Sequence, residues 1–454
     1  DNFYFFTRIN ATSAAYLWQS DGTEAGTRPV ARLPELCPDT DDAHEMNGVL
    51  YFLDAACLWR TDGTGAGTWQ VSAAFSDAEP PVVYQNHLYF SAADEVHDQE
   101  LWISDGTPAG TRLFADLNPI EDSVCLPDDA GAGYVAIREG CSSSSFPWNY
   151  AIYGNELYFT AFSPFVGVGL WKTNGNGVRL VKDFHPGNTY AANPSPFIVP
   201  NGTLLICADD GEHGWELWTS DGTTAGTILL KDIFPGPGDG VRCDDNLGVL
   251  NNSLFFPGND GVHGESLWKT DGTAAGTVPV RNFSGANHYV TRSPFDNAVM
   301  DGRLYFDVSS QFWATDGTAA GTTMLAENIF SFYVAGDPPG VNSAIFNNRL
   351  ILSAGDDADP DLEDIELWAT DGTMAGTKLL RDILPGVYEG LEISSVPKFF
   401  FPMDKSLLFF AGSSIYYKEN RYLFSRIGLF SLTMRDITLP WLTPLLLNSN
   451  KAQK

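Results

Sequence analysis

Basic residues are scarce in this sequence. Across 454 residues, 26 lysines and arginines face 57 aspartates and glutamates, for a net charge of −31. That argues against nucleic acid and anionic membrane surfaces as partners, because phosphate binding needs clustered cations. It suits an extracellular chain, cation binding or a salty environment equally. No apolar run reaches the ~18 residues that a membrane-spanning helix needs, so no span is expected. Helical periodicity is missing throughout. The six cysteines never fall in a CxxC pattern, which argues against a zinc site or a thioredoxin-like centre. GxSxG, HExxH, P-loop and Rossmann fingerprints are absent as well. The chain opens directly on the strand-like run Asp1-Asn2-Phe3-Tyr4-Phe5-Phe6. We read this as a mature N-terminus from which an export signal has been removed.

What is present is repetition. The segment Leu17-Trp18-Gln19-Ser20-Asp21-Gly22-Thr23-Glu24-Ala25-Gly26-Thr27 returns from Leu58, Leu101, Leu217, Leu267, Phe312 and Leu367. A worn copy sits at Leu170-Trp171-Lys172-Thr173-Asn174-Gly175-Asn176-Gly177, and a fainter one at Leu429-Phe430-Ser431-Leu432. Self-similarity at this period marks stacked supersecondary units. Each unit holds four strand candidates, a to d. In the third, Pro81-Val82-Val83-Tyr84 is a, Leu88-Tyr89-Phe90-Ser91 is b, Leu101-Trp102-Ile103 is c and Thr111-Arg112-Leu113-Phe114 is d. Runs rich in aromatic and β-branched residues, bounded by Gly, Asn and Asp, read as strands and hairpins. Four antiparallel strands per unit make the blade of a β-propeller. The expectation is an all-β single domain over residues 1–454, a closed propeller of nine four-stranded antiparallel blades, or eight if the last unit is something else. A content of 44% hydrophobic and 13% aromatic residues supplies its core.

The chain ends suggest how the ring closes. The first unit has no a strand before Phe3. In the last unit we read Lys398-Phe399-Phe400-Phe401 as a, Leu407-Leu408-Phe409-Phe410 as b, Gly428-Leu429-Phe430 as c and Ile437-Thr438-Leu439 as d. The run Pro444-Leu445-Leu446-Leu447-Asn448 then fits as a C-terminal strand joining the N-terminal blade. Such closure removes exposed edges.

The repeated Asp-Gly-Thr-x-x-Gly-Thr lies between strands c and d. There an Asp accepts backbone N–H bonds, Gly supplies positive φ and Thr hydroxyls cap what remains. Seven copies of one carboxylate cannot all be catalytic, so Asp21, Asp62, Asp105, Asp221, Asp271, Asp316 and Asp371 are expected to hold turns. Trp18, Trp59, Trp102, Trp171, Trp218, Trp268, Trp313 and Trp368 are expected to pack between blades, burying a large area each. Ligand stacking by these rings is the alternative.

In a four-stranded blade the a–b and c–d turns share one face, and the b–c and d–a loops share the other. The second face carries the insertions at 118–148, 183–195, 234–246, 329–340 and 354–365. Variable loops on a rigid scaffold are where binding resides. All six cysteines map to this face in neighbouring pairs, which predicts Cys37–Cys57, Cys125–Cys141 and Cys207–Cys243 disulfides and an oxidising compartment. Buried free thiols are the alternative.

The b–c loops are rich in oxygen ligands. Asp94, Asp98, Asp210, Glu212, Asp260, Asp356, Asp357, Asp359 and Asp361 are candidate calcium ligands. The same residues serve equally as solvated turn formers, and no segment matches an EF-hand loop. His213 and His263 could hold a transition metal or bond within their own loops. Sequons at Asn10, Asn201, Asn251 and Asn282 offer glycosylation sites in a eukaryotic host.

The Leu-Trp-x-Ser/Thr-Asp-Gly-Thr-x-Ala-Gly-Thr repeat, preceded by Glu100, Glu216 and Glu366 in three units, resembles the ELWxxDGT repeat family. So do Lys231-Asp232-Ile233-Phe234-Pro235-Gly236 and Arg381-Asp382-Ile383-Leu384-Pro385-Gly386. The resemblance covers nearly the whole chain, departing at 174–177 and in the last unit. It implies an exported or cell-surface protein, mostly bacterial, without an assigned chemistry. The turn motif is also similar to the Asp-box of sialidase propellers, a staple with no catalytic part.

Three functions follow. The first is an extracellular, non-catalytic binding or scaffold protein, a surface or adhesion component that contacts protein or polysaccharide or self-assembles. The second is a glycan-binding lectin with aromatic and acidic pockets. The third is a sialidase- or glycosidase-like hydrolase with one acidic axial pocket, which needs paired carboxylates. The sequence offers no means of choosing two acids, and few arginines for a substrate carboxylate fall in second-face loops, Arg138 and Arg242 among them. Loop variation between units disfavours identical lectin sites, so the first reading leads, with no cofactor required.

Overall fold

Two-residue hairpins set the strand pairing. Gln85-Asn86, Asn251-Asn252 and Asn347-Asn348 all hold φ between 48° and 62°, and Asn47-Gly48 and Asp301-Gly302 are left-handed at both positions too. Consecutive left-handed residues form the type I′ turn, whose twist matches that of the flanking strands. In each case the turn joins the first and second strands of a unit.

In the computed structural model the described residues are 3–7, 16–20, 25–33, 43–54, 57–72, 75–119, 144–186, 193–199, 201–243, 248–283, 298–309, 311–327, 329–331, 342–356, 365–383, 387–388, 391–392, 395, 397–402, 406–412, 427–433 and 443–445. Among them there is no helix, and none is long and apolar enough to cross a membrane. The architecture is all-β and propeller-like. Six sheets have four strands in simple antiparallel order, as in Trp148–Tyr153, Glu156–Ser163, Gly167–Thr173 and Val178–Lys182. The third unit follows the sequence reading closely, with Val82–Tyr84, His87–Ala93, Glu100–Ser104 and Arg112–Ala115.

One irregularity repeats. Between the third and fourth strands the register shifts at Leu17/Trp18, Leu58/Trp59, Leu101/Trp102, Leu170/Trp171, Leu217/Trp218, Leu267/Trp268, Phe312/Trp313 and Leu367/Trp368. A bulge bends the strand and re-aims the side chain beside it. In three units the tryptophan's indole N–H donates to the second strand of its own sheet, Trp102 to Ala92 O (2.9 Å), Trp171 to Ala161 O (3.1 Å) and Trp218 to Ala208 O (3.3 Å).

Five of these rings fill seams between units. Trp102 packs with Tyr51, Leu53 and Leu58 of the preceding unit. Trp218 meets Tyr158 and Leu170, Trp268 meets Cys207 and Leu217, Trp313 meets Phe255 and Leu267, and Trp368 meets Tyr305 and Phe312. A second seam contact runs the other way. Tyr4, Tyr51, Tyr158 and Tyr305 each place a hydroxyl where a side chain on Gly63, Gly106, Gly222 and Gly372 of the next unit's turn would stand. Those glycines also hold φ between 83° and 86°, so both conformation and space require glycine there.

Three expectations need correction. The C-terminal strand does not join the first unit. Thr443–Leu445 pairs with Ile427–Thr433, Leu429 opposite Leu445, and forms the fourth strand of the last sheet. The first sheet has three strands, Phe3–Thr7, Tyr16–Ser20 and Arg28–Arg32, and no closed ring is formed among the described residues. A short apolar run carries no signal for its partner, so pattern alone cannot distinguish the inner edge of one sheet from the outer edge of another. The run 437–439 that we read as that fourth strand lies outside the described residues. Finally, two sheets have five strands. Asp77–Ala78 pairs with the end of His87–Ala93, and Ile329–Ser331 with the end of Leu350–Asp356, where loops were expected. In both units the second strand outruns the first, and the extra strand satisfies the uncovered backbone edge.

Candidate functional site

The motif carboxylates serve their own turns. Asp62 Oδ1 accepts the Thr64 N–H (2.9 Å) and the Thr64 hydroxyl (2.7 Å). Thr64 Oγ1 accepts from Gly67 N–H, and its carbonyl accepts the Thr68 hydroxyl. The same Asp–Thr bonds recur at Asp105, Asp221, Asp271, Asp316 and Asp371. Chiefly the threonine hydroxyl holds these six carboxyls below their ordinary range. A side chain on the second glycine, such as Gly276, would strike the carboxylate. Asp21 lies outside the described residues, but Ser20 and Thr27 keep the flanking hydroxyl contact at 2.7 Å. In the worn copy Asn174 accepts from Asn176 N–H at 3.2 Å.

The candidate metal loops also turn inward. Asp94 accepts from the Val96 and His97 N–H groups and approaches His97 Nδ1 at 3.0 Å. Asp210 binds the Glu212 and His213 N–H groups and lies 2.9 Å from His213 Nδ1. Asp260 repeats this with Val262 and His263, at 2.6 Å from the ring. Burial would raise these three carboxyls, but the backbone and ring bonds outweigh it and lower them. The bond to Asp210 raises the His213 imidazole. His213 and His263 thus each bind within their own loop. No group of three His, Cys, Asp or Glu placed to hold a metal forms among the described residues, so Asp98 and Glu212 are not gathered with the others. Asp356 ends a strand, and Asp357, Asp359 and Asp361 lie outside the described residues.

Cys207 and Cys243 form the expected disulfide, with Cα atoms 5.4 Å apart. It ties strand Leu204–Asp209 to the loop leaving that unit, where Val241 bridges to Gly258 of the next. Cys57 is buried and accepts a 3.1 Å bond from Gln70 Nε2. Cys37, Cys125 and Cys141 lie outside the described residues, as do Asn10 and Arg138. Asn251 and Asn282 are exposed, and Arg242 pairs with Glu265 at 2.6 Å. Asn201 is exposed too, but its carboxamide accepts from Thr203 N–H and donates to Asp271 O across the seam.

The glutamate that precedes Leu-Trp in three units proves structural in a way the sequence did not reveal. Glu100, Glu216 and Glu366 are at most 1% exposed. Glu216 accepts from Ile233 and Phe234 N–H, and Glu366 from Ile383 and Ser395 N–H. Glu100 accepts from Leu117 N–H, from Ser145 N–H and from the Ser145 hydroxyl at 2.5 Å. It therefore clasps both ends of the 118–148 insertion. Burial pushes the carboxyls of Glu100 and Glu216 up to about 7.

That clasp shapes a pocket of about 380 Å³ between the third and fourth units, on the face of the long loops. Its lining is Glu79 and Pro80 ahead of one first strand, Ser91 and Gln99 from the adjoining second strand and loop, and the run 146–150 entering the next unit. Phe146 is 46% exposed and holds a left-handed φ of 43°, a conformation that surrounding structure must impose on an aromatic residue. The Ser145–Glu100 bonds and the Phe146 N–H to Gln99 O bond (3.1 Å) impose it. A register shift between Trp148 and Ala151, with Asn149 at φ 54°, re-aims the opposite wall. Glu79 stands exposed on the rim. Desolvation raises its carboxyl, and the neighbouring Asp77 adds to the rise. Tyr150 donates to Pro147 O at 3.1 Å. Sequence reasoning assigned the insertion to the loop-rich face but missed these residues; the available signal was the aromatic cluster Phe146-Pro147-Trp148-Asn149-Tyr150 at its end.

No family model matches the sequence, and no curated protein matches it. Among solved structures, a puromycin hydrolase variant complexed with PGG is 14% identical with a TM-score of 0.40, covering 91% of this chain and 57% of that chain. A puromycin-hydrolyzing peptidase of Mycobacterium tuberculosis is 12% identical, with the same TM-score and coverages. A eukaryotic initiation factor is 10% identical, with a TM-score of 0.48 and 98% and 94% covered. The chain thus spans 57% of the length of each hydrolase. At this similarity none of the three bears on what the chain does.

Proposed function

We propose that this chain is an extracellular, non-catalytic binding or scaffold protein, a nine-unit propeller of the ELWxxDGT repeat kind that meets its ligand through the long-loop face. One observation carries the reading. The repeated chemistry-bearing residues are engaged in building turns and seams, while the asymmetric 118–148 insertion ends in a preformed pocket. The Cys207–Cys243 bridge fits an oxidising compartment.

The test is surface plasmon resonance of the full chain on immobilised polysaccharides and cell-surface preparations, with the same samples assayed for released product. Saturable binding without product, weakened at least about tenfold by Trp148→Ala, a loss of some 1.4 kcal/mol, is expected. Product release that Glu79→Gln abolishes would make the protein a hydrolase and overturn the reading.

A further inference from the structure

The pocket's chemistry narrows its ligand. Its walls divide into apolar and hydrogen-bonding parts. Phe146, Trp148, Pro80 and Pro147 supply ring and hydrocarbon surface. Gln99 and Asn149 add carboxamides that have no hydrogen-bond partner among the described residues, and each can both donate and accept.

Ser91 makes the strongest argument. It is 1% exposed, it lines the pocket, and its hydroxyl has no partner among the described residues. The equivalent residue of the next unit, Thr160, donates its hydroxyl to Pro194 O just ahead of the following first strand. The corresponding carbonyl for Ser91 is Pro147 O, which accepts the Tyr150 hydroxyl instead. Ser353, at the same place in the eighth unit, is buried and open too among the described residues, so the open hydroxyl of Ser91 points to a ligand group only because it also lines the pocket.

Lysine, arginine and histidine are missing from the lining, and the chain carries −31. An anionic ligand would meet no positive charge in the lining, only the carboxyl of Glu79 among charged groups. An alkylammonium ion cannot accept from the Ser91 hydroxyl or the amide donors. A sugar ring matches both kinds of wall, with a C–H face for the aromatic surface and hydroxyls that donate and accept. We propose that this pocket binds the pyranose ring of a neutral sugar, through stacking on Trp148 and Phe146 and hydrogen bonds to Ser91, Gln99 and Asn149. The proposal rests on the binding-module reading and names its ligand class.

Saturation-transfer NMR on the full chain tests it, with methyl β-D-glucopyranoside, methyl β-D-galactopyranoside, methyl α-D-mannopyranoside and methyl N-acetyl-β-D-glucosaminide as probes. Tetramethylammonium is the cationic control. At least one pyranoside should bind, and tetramethylammonium should not displace it. Ser91→Ala should weaken binding about tenfold without lowering the melting temperature, because the hydroxyl it removes has no partner to lose. Trp148→Ala should weaken binding at least about tenfold, and should it fail to fold, Ser91→Ala still decides. Binding by tetramethylammonium alone, or pyranoside binding indifferent to Ser91→Ala, overturns the proposal. If no pyranoside binds while the chain still binds a polysaccharide or cell-surface preparation, the sugar-ring assignment falls and the binding-module reading stands. Product release overturns the latter alone.

Discussion

Within each Asp-Gly-Thr turn, one carboxylate and one glycine share a space that admits nothing larger. Gly276 lies so close to the Asp271 carboxyl that an alanine methyl would strike it. Gly276→Ala should therefore destabilise the protein by roughly 1–3 kcal/mol. Asp271→Ala, which removes the hydrogen bonds and also the obstacle, should cost about 1 kcal/mol. In the double variant the costs should fall short of their sum by about 1 kcal/mol, measurable by urea unfolding as a double-mutant cycle. Additive costs would show that the carboxylate is not what excludes the methyl group. The role of Asp271 was legible because Asp, Gly and Thr at this spacing have local turn chemistry. That of Glu100 was not, because its partners Leu117 and Ser145 lie 17 and 45 residues away. Glu100 also makes stability pH-dependent. Its folded pKa of about 7 exceeds that of an unfolded carboxyl, about 4.3. Between those values the folded chain keeps a proton that the unfolded chain releases, so stability is fullest below the lower value and declines as pH rises through the higher one. The urea midpoint should be lower at pH 8 than at pH 5.5, and Glu100→Gln should narrow that difference.

At the level of strands and loops, what sequence pattern conveys is local pairing. Runs of aromatic and β-branched residues bounded by Gly, Asn and Asp marked the hairpins, and the repeated unit led to the expectation of tryptophans between blades. The bulge at each Leu-Trp pair was invisible, since a shifted register leaves composition unchanged. So were the extra strands Asp77–Ala78 and Ile329–Ser331, whose pairing depends on how far the neighbouring strand extends. The Cys207–Cys243 bridge was legible because the unit map brought both residues to one loop cluster. It closes a separation of 36 residues, and replacing both cysteines with serine should cost roughly 2–4 kcal/mol. Thermal unfolding of the double variant against the parent under oxidising conditions measures this; an unchanged midpoint would show that the bridge adds nothing to stability.

Across the whole molecule the repeat and the pocket have separate parts. Aromatic rings and turn glycines join each unit to the next, so damage to a turn is damage to a seam. The pocket instead lies where the repeat is broken by the 118–148 insertion, which is why repeat-based reasoning did not single out its residues. Its walls come from two units and from a loop whose course no periodicity describes. The last strand shows the same limit, since an apolar run announces that it pairs but not with which edge. The most direct test of this division compares the melting temperature and ligand affinity of Asp271→Ala and Trp148→Ala in the full chain. Asp271→Ala should lower the melting temperature and leave the dissociation constant unchanged, while Trp148→Ala should weaken binding at least about tenfold with little change in melting. Loss of affinity in Asp271→Ala, with Trp148→Ala binding normally, would contradict the account.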